Sequence, residues 1–400
     1  MSLDWFEKRG YRHFDFPIDE KFARCKAMNA AYVAQHSFSP LIHYIKSTKR
    51  YKKDIKTGVR NIDTKNRPIK YACHQDSCIF SYYSYLLNKK LDAFYEQHGV
   101  SDSVIAYRAL GRGNYDFAAE AFTFARGHAP VTILAFDVTG FFDNLDHGLL
   151  KQHLKKLLDV TSLPSDWYKV FKAITAFHYV ELAGLKAHPI FSDRFGNKKY
   201  GRIATVKEIK EAGFIFKPNP EFAKGFKRGI PQGTPISAAA SNSYMIEFDI
   251  AARDYCNRIG ALYRRYSDDI LVICKPNYAD DAEAEILRLI AIEKLEIAAQ
   301  KTERIEFGKF LAAGKPFRSS QYLGFTFHED GAAIRESSLS RQWRKMRRAV
   351  RRTRKIAIEQ MALGHSQKVF TKKLRRRFSC LKIRDENGLR IVRNFSSYGR

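Results

Sequence analysis

Two adjacent carboxylates between two apolar runs form the most constraining feature of this sequence. The tetrad Tyr266–Asp269 (YSDD) lies inside ALYRRYSDDILVIC, whose β-prone flanks predict a β-hairpin with the aspartates at its tight turn. Ser and Asp are also ordinary residues of a polar hairpin turn, so the tetrad alone permits a purely structural interpretation. Neighbouring carboxylates repel each other, and a bound divalent cation would relieve that repulsion. The rest of the chain must therefore decide between a plain turn and a metal site.

A third aspartate strengthens the metal interpretation. Asp137 ends the almost wholly apolar run Val131–Phe136, which is typical of a buried strand. If this strand and the hairpin are neighbours in one sheet, Asp137, Asp268 and Asp269 lie together. Such a cluster can hold two Mg²⁺ ions about 3.5–4 Å apart, which clamp the attacking and leaving oxygens of a phosphoryl transfer. Three carboxylates also leave room for the substrate phosphate oxygens that Mg²⁺ prefers as further ligands.

The charge of the 400-residue chain indicates a polyanionic partner. Lys and Arg number 70 against 42 Asp and Glu, and the formal net charge of +28 favours nucleic acid over a membrane surface. A hydrophobic fraction of 45% is enough for a folded core. No apolar run is long enough to span a membrane, and from the residues at the N-terminus no secretory signal is expected. Six scattered cysteines without a CxxC pair fit a reducing compartment, so a cytoplasmic protein is expected.

Basic residues concentrate in three segments. The stretch His43–Asn61 carries many cations suited to a phosphate backbone. Lys65 and Arg67 lie in a predicted basic hairpin arm, where Arg can grip a phosphate with two parallel hydrogen bonds and Lys acts as a point charge. Residues 341–400 hold twenty Lys or Arg and three acids, which predicts basic helices facing a polyanion.

Other segments have weaker signals. Helices are expected within residues 149–180 and 278–297, and Asp143 and Asp146 are expected to cap a helix. The Gly-, Pro- and Lys-rich segment Gly184–Arg228 is expected to be an extended loop or hairpin insertion. The loop GIPQGTPIS precedes a predicted helix and is either a packed loop–helix junction or a nucleotide contact through Gln232 and its backbone.

Taken in order, these stretches resemble the motifs of reverse transcriptases. FDVTGFFDNLDH resembles motif A, GIPQGTP motif B, YSDD motif C, QKTE motif D and QYLGF motif E. Upstream, RPIKYACHQD and AYRALGRGNYDFA resemble the finger motifs of the bacterial branch shared by group II intron and retron enzymes. The resemblance covers roughly residues 60–330, and within that branch the chain is most similar to the antiviral defence-associated, abortive-infection type enzymes.

This resemblance implies a fold class and a domain division. The fold is expected to be α+β, a right-hand polymerase with fingers, a ferredoxin-like palm built on an antiparallel sheet, and a basic α-helical thumb. The N-terminal region and fingers would occupy residues 1–130, and the thumb residues 331–400. The palm would occupy residues 131–330, with a basic insertion at about 184–228.

The resemblance also implies roles in catalysis and metal binding. Asp137 and Asp268 would bridge two Mg²⁺ ions, with Mn²⁺ as an alternative in vitro, and Asp269 would complete the acidic site. Lys301 matches the motif D lysine that protonates pyrophosphate. Ser267 replaces the commoner Ala or Met of this tetrad, which affects primer handling rather than metal binding.

A second set of residues is implied to bind the nucleotide. Phe142 lies where these enzymes place the bulky residue that clashes with a ribose 2′-OH, so dNTPs are expected over rNTPs. Gln232 would pack on the nascent base pair, and Val138 of motif A would line the nucleotide site. Lys65 and Arg67 would grip the triphosphate.

The predicted function is RNA-directed DNA synthesis from a 3′-OH or another hydroxyl primer. The expected partners are dNTPs, the DNA product and a template RNA, which would be a partner non-coding RNA in bacterial antiviral defence. A second protein subunit or a homo-oligomer is left open, and no membrane partner is expected.

Three alternatives were compared with this prediction. RNA-dependent RNA polymerases have a second aspartate at the position of Phe142 and lack the PQG motif, which excludes that class. Untemplated or protein-primed DNA synthesis by the same site is left open, because the core motifs do not discriminate. A catalytically silent RNA-binding scaffold is disfavoured because Asp137, Asp268, Asp269 and Gln232 are all intact.

Overall fold

The computed structural model describes residues 3–53, 60–197, 199–308, 320–328, 331–365, 369 and 371–378. The chain divides into two compact units. The first comprises Met1–Arg108, Ala135–Val272 and Asp280–Thr302, and the second comprises Ala109–Leu134, Ile273–Ala279 and Glu303–Arg400. No helix among the described residues is both long enough and apolar enough to cross a membrane.

The secondary structure is mixed. The helices are α1 (Glu20–Phe22), α2 (Ala30–Gln35), α3 (His74–Gln97), α4 (Asn114–Gly127), α5 (Phe141–Asn144), α6 (His147–Leu158), α7 (Ser165–Thr175), α8 (Leu182–Ala187), α9 (Pro189–Gly196), α10 (Val206–Glu211), α11 (Pro220–Ala223), α12 (Ser237–Tyr244), α13 (Ile246–Arg258), α14 (Ala279–Ile292), α15 (Glu336–Ala362) and α16 (Lys372–Phe378). The strands are β1 (Leu41–Lys53), β2 (Arg60–Tyr71), β3 (Val131–Asp137), β4 (His178–Glu181), β5 (Lys217–Pro218), β6 (Leu262–Tyr266), β7 (Asp269–Cys274), β8 (Glu303–Phe307), β9 (Ser320–Tyr322), β10 (Phe325–His328) and β11 (Gly331–Ile334). A π-helical turn covers Ala23–Ala27, and 3-10 turns cover Pro276–Tyr278 and Ala299–Lys301.

One sheet of the first unit carries the predicted basic arm. Its strands lie in the order β2-β1-β4-β5, and β1 and β2 form a long antiparallel hairpin in which Lys65 lies opposite Thr48. Strand β4 pairs with β1 in parallel, starting at Leu41 and Tyr179. At the start of β1, a buried apolar cluster packs against the sheet. Its members are Phe14, Ile42, Val180, Leu185, Phe191, Ile203, Ala204 and Ile209. The arm is therefore anchored by apolar packing at the end nearest α3.

The acidic hairpin and the strand that ends at Asp137 are neighbours, as the sequence predicts. Strands β6, β7 and the final residues of β3 lie side by side in that order. Residues Ile270–Cys274 of β7 are all buried, which explains the continuous apolar run in the sequence. This arrangement brings the end of β3 to the β6–β7 turn.

The second unit contains α4, the first residues of β3, β8 and a three-stranded meander, β9-β10-β11. Its core includes Phe122 of α4, whose ring packs against Phe327 and Phe307 with centroid distances of 5.1 and 6.1 Å. Helix α15 follows the meander and has no buried residue among its 27, in agreement with its strongly basic sequence. The predicted basic C-terminal helices are confirmed as α15 and α16, and residues 379–400 lie outside the described part of the chain.

Two predictions about the middle of the chain are wrong. The expected helical region 149–180 ends at Thr175, and His178–Glu181 forms β4 instead, because pairing with β1 outweighs the local helical pattern. Most of Gly184–Arg228 forms the short helices α8 to α11 and strand β5 rather than an extended loop. Buried contacts of Leu185, Phe191 and Ile209 stabilise these helices, and such tertiary contacts leave little periodicity in the sequence.

Of the two aspartates predicted to cap a helix, one does so and the other does not. Asp146 is the N-cap of α6 and accepts a hydrogen bond from the Leu149 amide at 3.0 Å, which confirms its predicted role. Asp143 lies inside the short helix α5, so its predicted capping role is wrong. The predicted helix at 278–297 is α14, which ends at Ile292.

Candidate active site

The acidic tetrad forms the predicted hairpin turn. Strand β6 ends at Tyr266 and β7 begins at Asp269, so Ser267 and Asp268 make a two-residue loop. Ser267 adopts a left-handed backbone conformation with φ of +62°, as the tight turns between twisted strands require, and its side chain is buried. Asp268 therefore lies in the turn itself, and Asp269 is the first residue of β7.

Backbone hydrogen bonds join Asp137 to this turn. The Val138 amide donates to the Asp268 carbonyl oxygen at 3.0 Å, and the Ala298 amide donates to the Asp137 carbonyl oxygen at 2.8 Å. One residue further on, the Thr139 amide donates to the Glu296 carbonyl oxygen at 2.8 Å. The end of β3 is therefore fixed between the hairpin turn and the segment before Lys301.

The electrostatics show that the three aspartates converge. Although Asp269 is solvent-exposed, desolvation by the surrounding protein and the negative charges of Asp268 and Asp137 raise its pKa to about 6. The positive charges of Lys301 and Lys65 act in the opposite direction. The Lys301 ammonium also forms an ion pair with the Asp137 carboxylate. Five of the six charged residues predicted for the site therefore lie in one region of the first unit: Asp137, Asp268, Asp269, Lys301 and Lys65.

The donor set fits a hard divalent cation. The described residues contain no group of three or more His, Cys, Asp or Glu side chains already arranged to hold a metal ion, and Asp137 is paired with Lys301. Desolvation and the negative charges of Asp268 and Asp137 raise the pKa of Asp269, and a divalent cation would relieve the repulsion among the three carboxylates. Asp137, Asp268 and Asp269 are the residues that would hold the ion, with oxygen ligands of the kind Mg²⁺ prefers.

The loop GIPQGTP is hydrogen-bonded to the segment that contains Phe142. The Ile230 amide donates to the Phe142 carbonyl oxygen and the Gly229 amide to the Leu145 carbonyl oxygen, both at 2.8 Å. Gly229 has φ of +88°, and a Cβ on it would lie 2.9 Å from the Asp143 carbonyl oxygen, so only glycine permits this approach. Backbone hydrogen bonds therefore fix the loop that contains Gln232 to the segment that contains Phe142, and both residues were predicted to bind the nucleotide.

The same loop is fixed to the basic arm. The Lys70 amide of β2 donates to the Gln232 carbonyl oxygen at 2.8 Å. Gly233, with φ of +119°, lies so close to the Ile69 side chain and the Lys70 backbone that a Cβ on it would be 2.8 Å from each. These contacts set the position of β2, on which Lys65 and Arg67 lie. Lys65 is close enough to influence the pKa of Asp269, whereas Arg67 forms no hydrogen bond or ion pair with the three carboxylates.

Val138 has a different environment from the other predicted nucleotide-binding residues. Its side chain is buried and its amide is engaged by the Asp268 carbonyl. These contacts make Val138 part of the support of the acidic turn. A role in nucleotide binding stays a prediction.

Several residues around the turn were missed in the sequence. Arg265 is fully buried beneath the turn and paired with the equally buried Asp249. The Tyr107 hydroxyl donates to the Ser267 hydroxyl at 3.1 Å. The available signals were Arg265 within an apolar strand and Asp249 within an Ala-containing helix. One sequence cannot show that two such residues are paired.

Comparisons with known proteins show a matching protein family and several similar solved structures. The family described as reverse transcriptase (RNA-dependent DNA polymerase) matches residues 23–327. Solved structures similar to the chain include apo telomerase from Candida tropicalis, C-terminally truncated, at 13% identity and a TM-score of 0.44, covering 74% of this chain and 56% of that one. Another is telomerase from Candida albicans with a TWJ fragment of telomeric RNA, at 13% identity and a TM-score of 0.40, covering 79% and 50% respectively. The chain thus spans about half the length of these structures, and no curated protein sequence matches it.

Proposed function

This chain belongs to the reverse transcriptase family, and from that premise we propose that it synthesises DNA on an RNA template, adding dNTPs to a primer hydroxyl. The single observation that carries the proposal is the convergence of Asp137, Asp268 and Asp269. Desolvation and repulsion from the two other carboxylates raise the pKa of Asp269, and such a group of three favours a site that works with bound cations rather than a plain polar turn.

We propose that the cations are two Mg²⁺ ions held by the three aspartates, with Mn²⁺ able to replace them in vitro. When bound, such ions neutralise charge on the attacking and leaving oxygens of an in-line nucleotidyl transfer. Because Lys301 forms an ion pair with Asp137, its ammonium lies next to the site where the leaving pyrophosphate would be bound in this proposal. In the proposal it leaves Asp137 when substrate and metal bind and gives a proton to pyrophosphate.

The residues around the carboxylates select and orient the nucleotide. Phe142 presents a bulky ring that excludes a ribose 2′-OH, which makes the enzyme selective for dNTPs. Gln232 and its loop backbone pack on the nascent base pair, supported by the bond from the Lys70 amide. Lys65 and Arg67 on β2 hold the triphosphate through charge-assisted contacts.

The template is proposed to be a partner non-coding RNA, and the biological setting bacterial antiviral defence in the cytoplasm. The formal net charge of +28 supports a polyanionic partner, and the basic helix α15 adds nine Lys or Arg residues to its surface. The finger motifs, which resemble those of group II intron and retron enzymes, support the bacterial branch. A second protein subunit or a second copy of the chain is compatible with the proposal.

The test is incorporation of labelled dNTPs on an RNA template with a DNA primer. The wild-type protein is compared with the double variant Asp268→Ala/Asp269→Ala after both are shown to unfold cooperatively at similar temperatures. The proposal requires a signal from the wild type and none from the variant. Equal signals would refute it, and sequencing the product would separate templated from untemplated or protein-primed synthesis.

A further inference from the structure

A fully buried ion pair lies directly behind the acidic turn. The side chains of Arg265 in β6 and Asp249 in α13 are both 0% exposed. Their contact is bidentate, with Nε donating to Oδ1 at 2.7 Å and Nη2 to Oδ2 at 2.6 Å. Burial alone lowers the pKa of Arg265, but the Asp249 carboxylate raises it above the ordinary value, so the guanidinium stays charged.

The remaining guanidinium nitrogen points at the turn. Nη1 of Arg265 donates to the Ser267 carbonyl oxygen at 3.1 Å and to the Asn242 side-chain oxygen at 3.2 Å. The Ser267 carbonyl belongs to the peptide unit that leads into Asp268. A donor at this carbonyl therefore fixes the orientation of the Ser267–Asp268 peptide unit, and with it the direction in which the Asp268 side chain leaves the backbone.

Arg265 also connects the turn to the loop of residues 103–107, in this case through its backbone. The Arg265 amide donates to the Ser103 carbonyl oxygen at 2.7 Å, and the Ile105 amide donates to the Arg265 carbonyl oxygen at 3.1 Å. The Asn242 side-chain amide donates to the Ala106 carbonyl oxygen at 3.0 Å. Asn242 lies in α12, which directly follows the GIPQGTP loop. Asn242 of α12 and Ser267 of the turn thus meet at one guanidinium, and the loop of residues 103–107 is bonded to the Arg265 backbone and to the Asn242 side chain.

Stability alone is a poor explanation for this arrangement. A buried ion pair contributes little net stability compared with well-packed apolar side chains, because desolvation offsets the attraction. An apolar pair would fill the same space, but it could not donate a hydrogen bond to the Ser267 carbonyl. The geometry therefore favours a role in positioning.

We propose that Arg265 is a positioning residue of the polymerase site, which holds the Ser267–Asp268 peptide so that the Asp268 carboxylate faces Asp137. Asp249 and Asn242 orient the guanidinium for this purpose. The inference rests on the proposed function for its catalytic consequence, but the positioning itself is a property of the protein alone.

The test compares Arg265→Lys with Tyr263→Phe. Lysine keeps the charge but loses the planar fork that binds Asp249 and Ser267 together. Tyr263 is a matched control, because its hydroxyl donates to Asp249 at 2.7 Å within the same buried cluster, and the described contacts do not join it to the turn. The readouts are amide hydrogen exchange at Val138, the unfolding temperature, kcat, the KM for dNTP and the Mg²⁺ concentration that gives half-maximal rate.

Arg265→Lys is expected to speed exchange at the Val138 amide, because that amide donates to the Asp268 carbonyl. It should also lower kcat or the apparent metal affinity about 10–100-fold, the usual effect of removing a group that orients a metal ligand, while the KM for dNTP stays unchanged. Tyr263→Phe should lower only the unfolding temperature. Unchanged Val138 exchange and unchanged metal dependence in Arg265→Lys would overturn the proposal.

Asn242→Ser gives a second test that applies even if Arg265→Lys does not fold. It removes one partner of Nη1 and should produce the same changes at smaller amplitude, whereas wild-type behaviour would contradict the proposal. Failure of the proposed function would look different: the wild type itself would incorporate no dNTPs. The exchange rate at Val138 would still decide whether Arg265 holds the turn.

Discussion

The backbone amide of Val138 donates a 3.0 Å hydrogen bond to the carbonyl oxygen of Asp268. This bond joins the residue after the β3 aspartate to the turn between β6 and β7. Two carboxylates 131 positions apart in the sequence are thereby brought to one site through the backbone, without any direct attraction between them. The side chains repel each other, and the hydrogen-bonded sheet holds them together in spite of that repulsion.

Metal removal should abolish synthesis. Because the three aspartates are proposed to act through bound cations, excess EDTA is expected to reduce dNTP incorporation to background, and added Mg²⁺ to restore it, with Mn²⁺ as a substitute. Added Mg²⁺ should also raise the unfolding temperature of the wild type but not of Asp268→Ala/Asp269→Ala, because a ligand stabilises only a protein that binds it. Activity that survives chelation would contradict the metal assignment.

Replacing Phe142 should change sugar selectivity. Phe142→Ala removes the ring proposed to clash with a ribose 2′-OH, so the ratio of kcat/KM for dNTP to that for rNTP is expected to fall at least about tenfold. Phe142→Tyr keeps the bulk and serves as the control, with a ratio near that of the wild type. The same ratio in all three proteins would show that the steric assignment is wrong.

Lys301 should matter more than another paired lysine nearby. Lys301→Met is expected to lower kcat about 100-fold if its ammonium donates a proton during turnover. Lys294→Met is the matched control, since Lys294 is also exposed and paired with an aspartate, its Nζ lying 3.1 Å from Asp146. Comparable rates for the two variants would assign Lys301 to ion pairing alone.

Gly233 should be intolerant of a side chain. In Gly233→Ala the new Cβ would lie 2.8 Å from the Lys70 carbonyl oxygen, and the backbone φ of +119° is strained for any L-residue. Strain of this kind costs roughly 1–3 kcal/mol, and the clash should also displace Gln232 and raise the KM for dNTP. Gly213→Ala is the control, because Gly213 also has a positive φ, of +80°, but open space around it. A KM raised equally in both variants would exclude the specific contact.

A buried carboxyl away from the candidate metal ligands should control stability at high pH. Burial, with smaller contributions from the negative charges of Glu247 and Asp249, raises the pKa of Glu293 to about 8. The unfolded chain releases this proton near its ordinary pKa of about 4.5, so the free energy of unfolding should fall as the pH rises from there to about 8.

Glu293→Gln cannot ionise and should remove that loss. The variant is expected to match the wild type at pH values below 4.5 and to exceed its free energy of unfolding at pH values above 8 by a few kcal/mol in order of magnitude. Urea unfolding at several pH values checks this, with the exposed Glu303→Gln as the control. A constant difference across the pH range would show that Glu293 does not titrate as described.

Much of the site could be predicted from the sequence because its signals are local. A turn with two acids, an apolar run ended by an acid, and a loop with two glycines each appear within ten or so residues. The structure contains the hairpin and the buried strand as predicted. The family match confirms the predicted enzyme family and the α+β polymerase fold class, while the narrower bacterial defence branch stays a proposal.

The errors arose where tertiary contacts decide the local structure. Residues His178–Glu181 follow a helix in sequence, yet pairing with β1 makes them a strand. The segment after Gly184 has weak periodicity, yet buried contacts fold it into short helices. Asp143 and Asp146 look alike in the sequence, but only Asp146 lies at a helix start where free backbone amides need an acceptor.

The sequence by itself therefore determined which residues could perform the chemistry, since residue type and order along the chain are enough to recognise the motifs of a family. Only the tertiary structure decided how those residues are held: by the bond from Val138 to Asp268, by the approach of Gly233 to β2, and by Arg265 beneath the turn. Such contacts join positions far apart in the chain. Their partners depend on how the strands pair and how the loops pack, which no local pattern of side chains records.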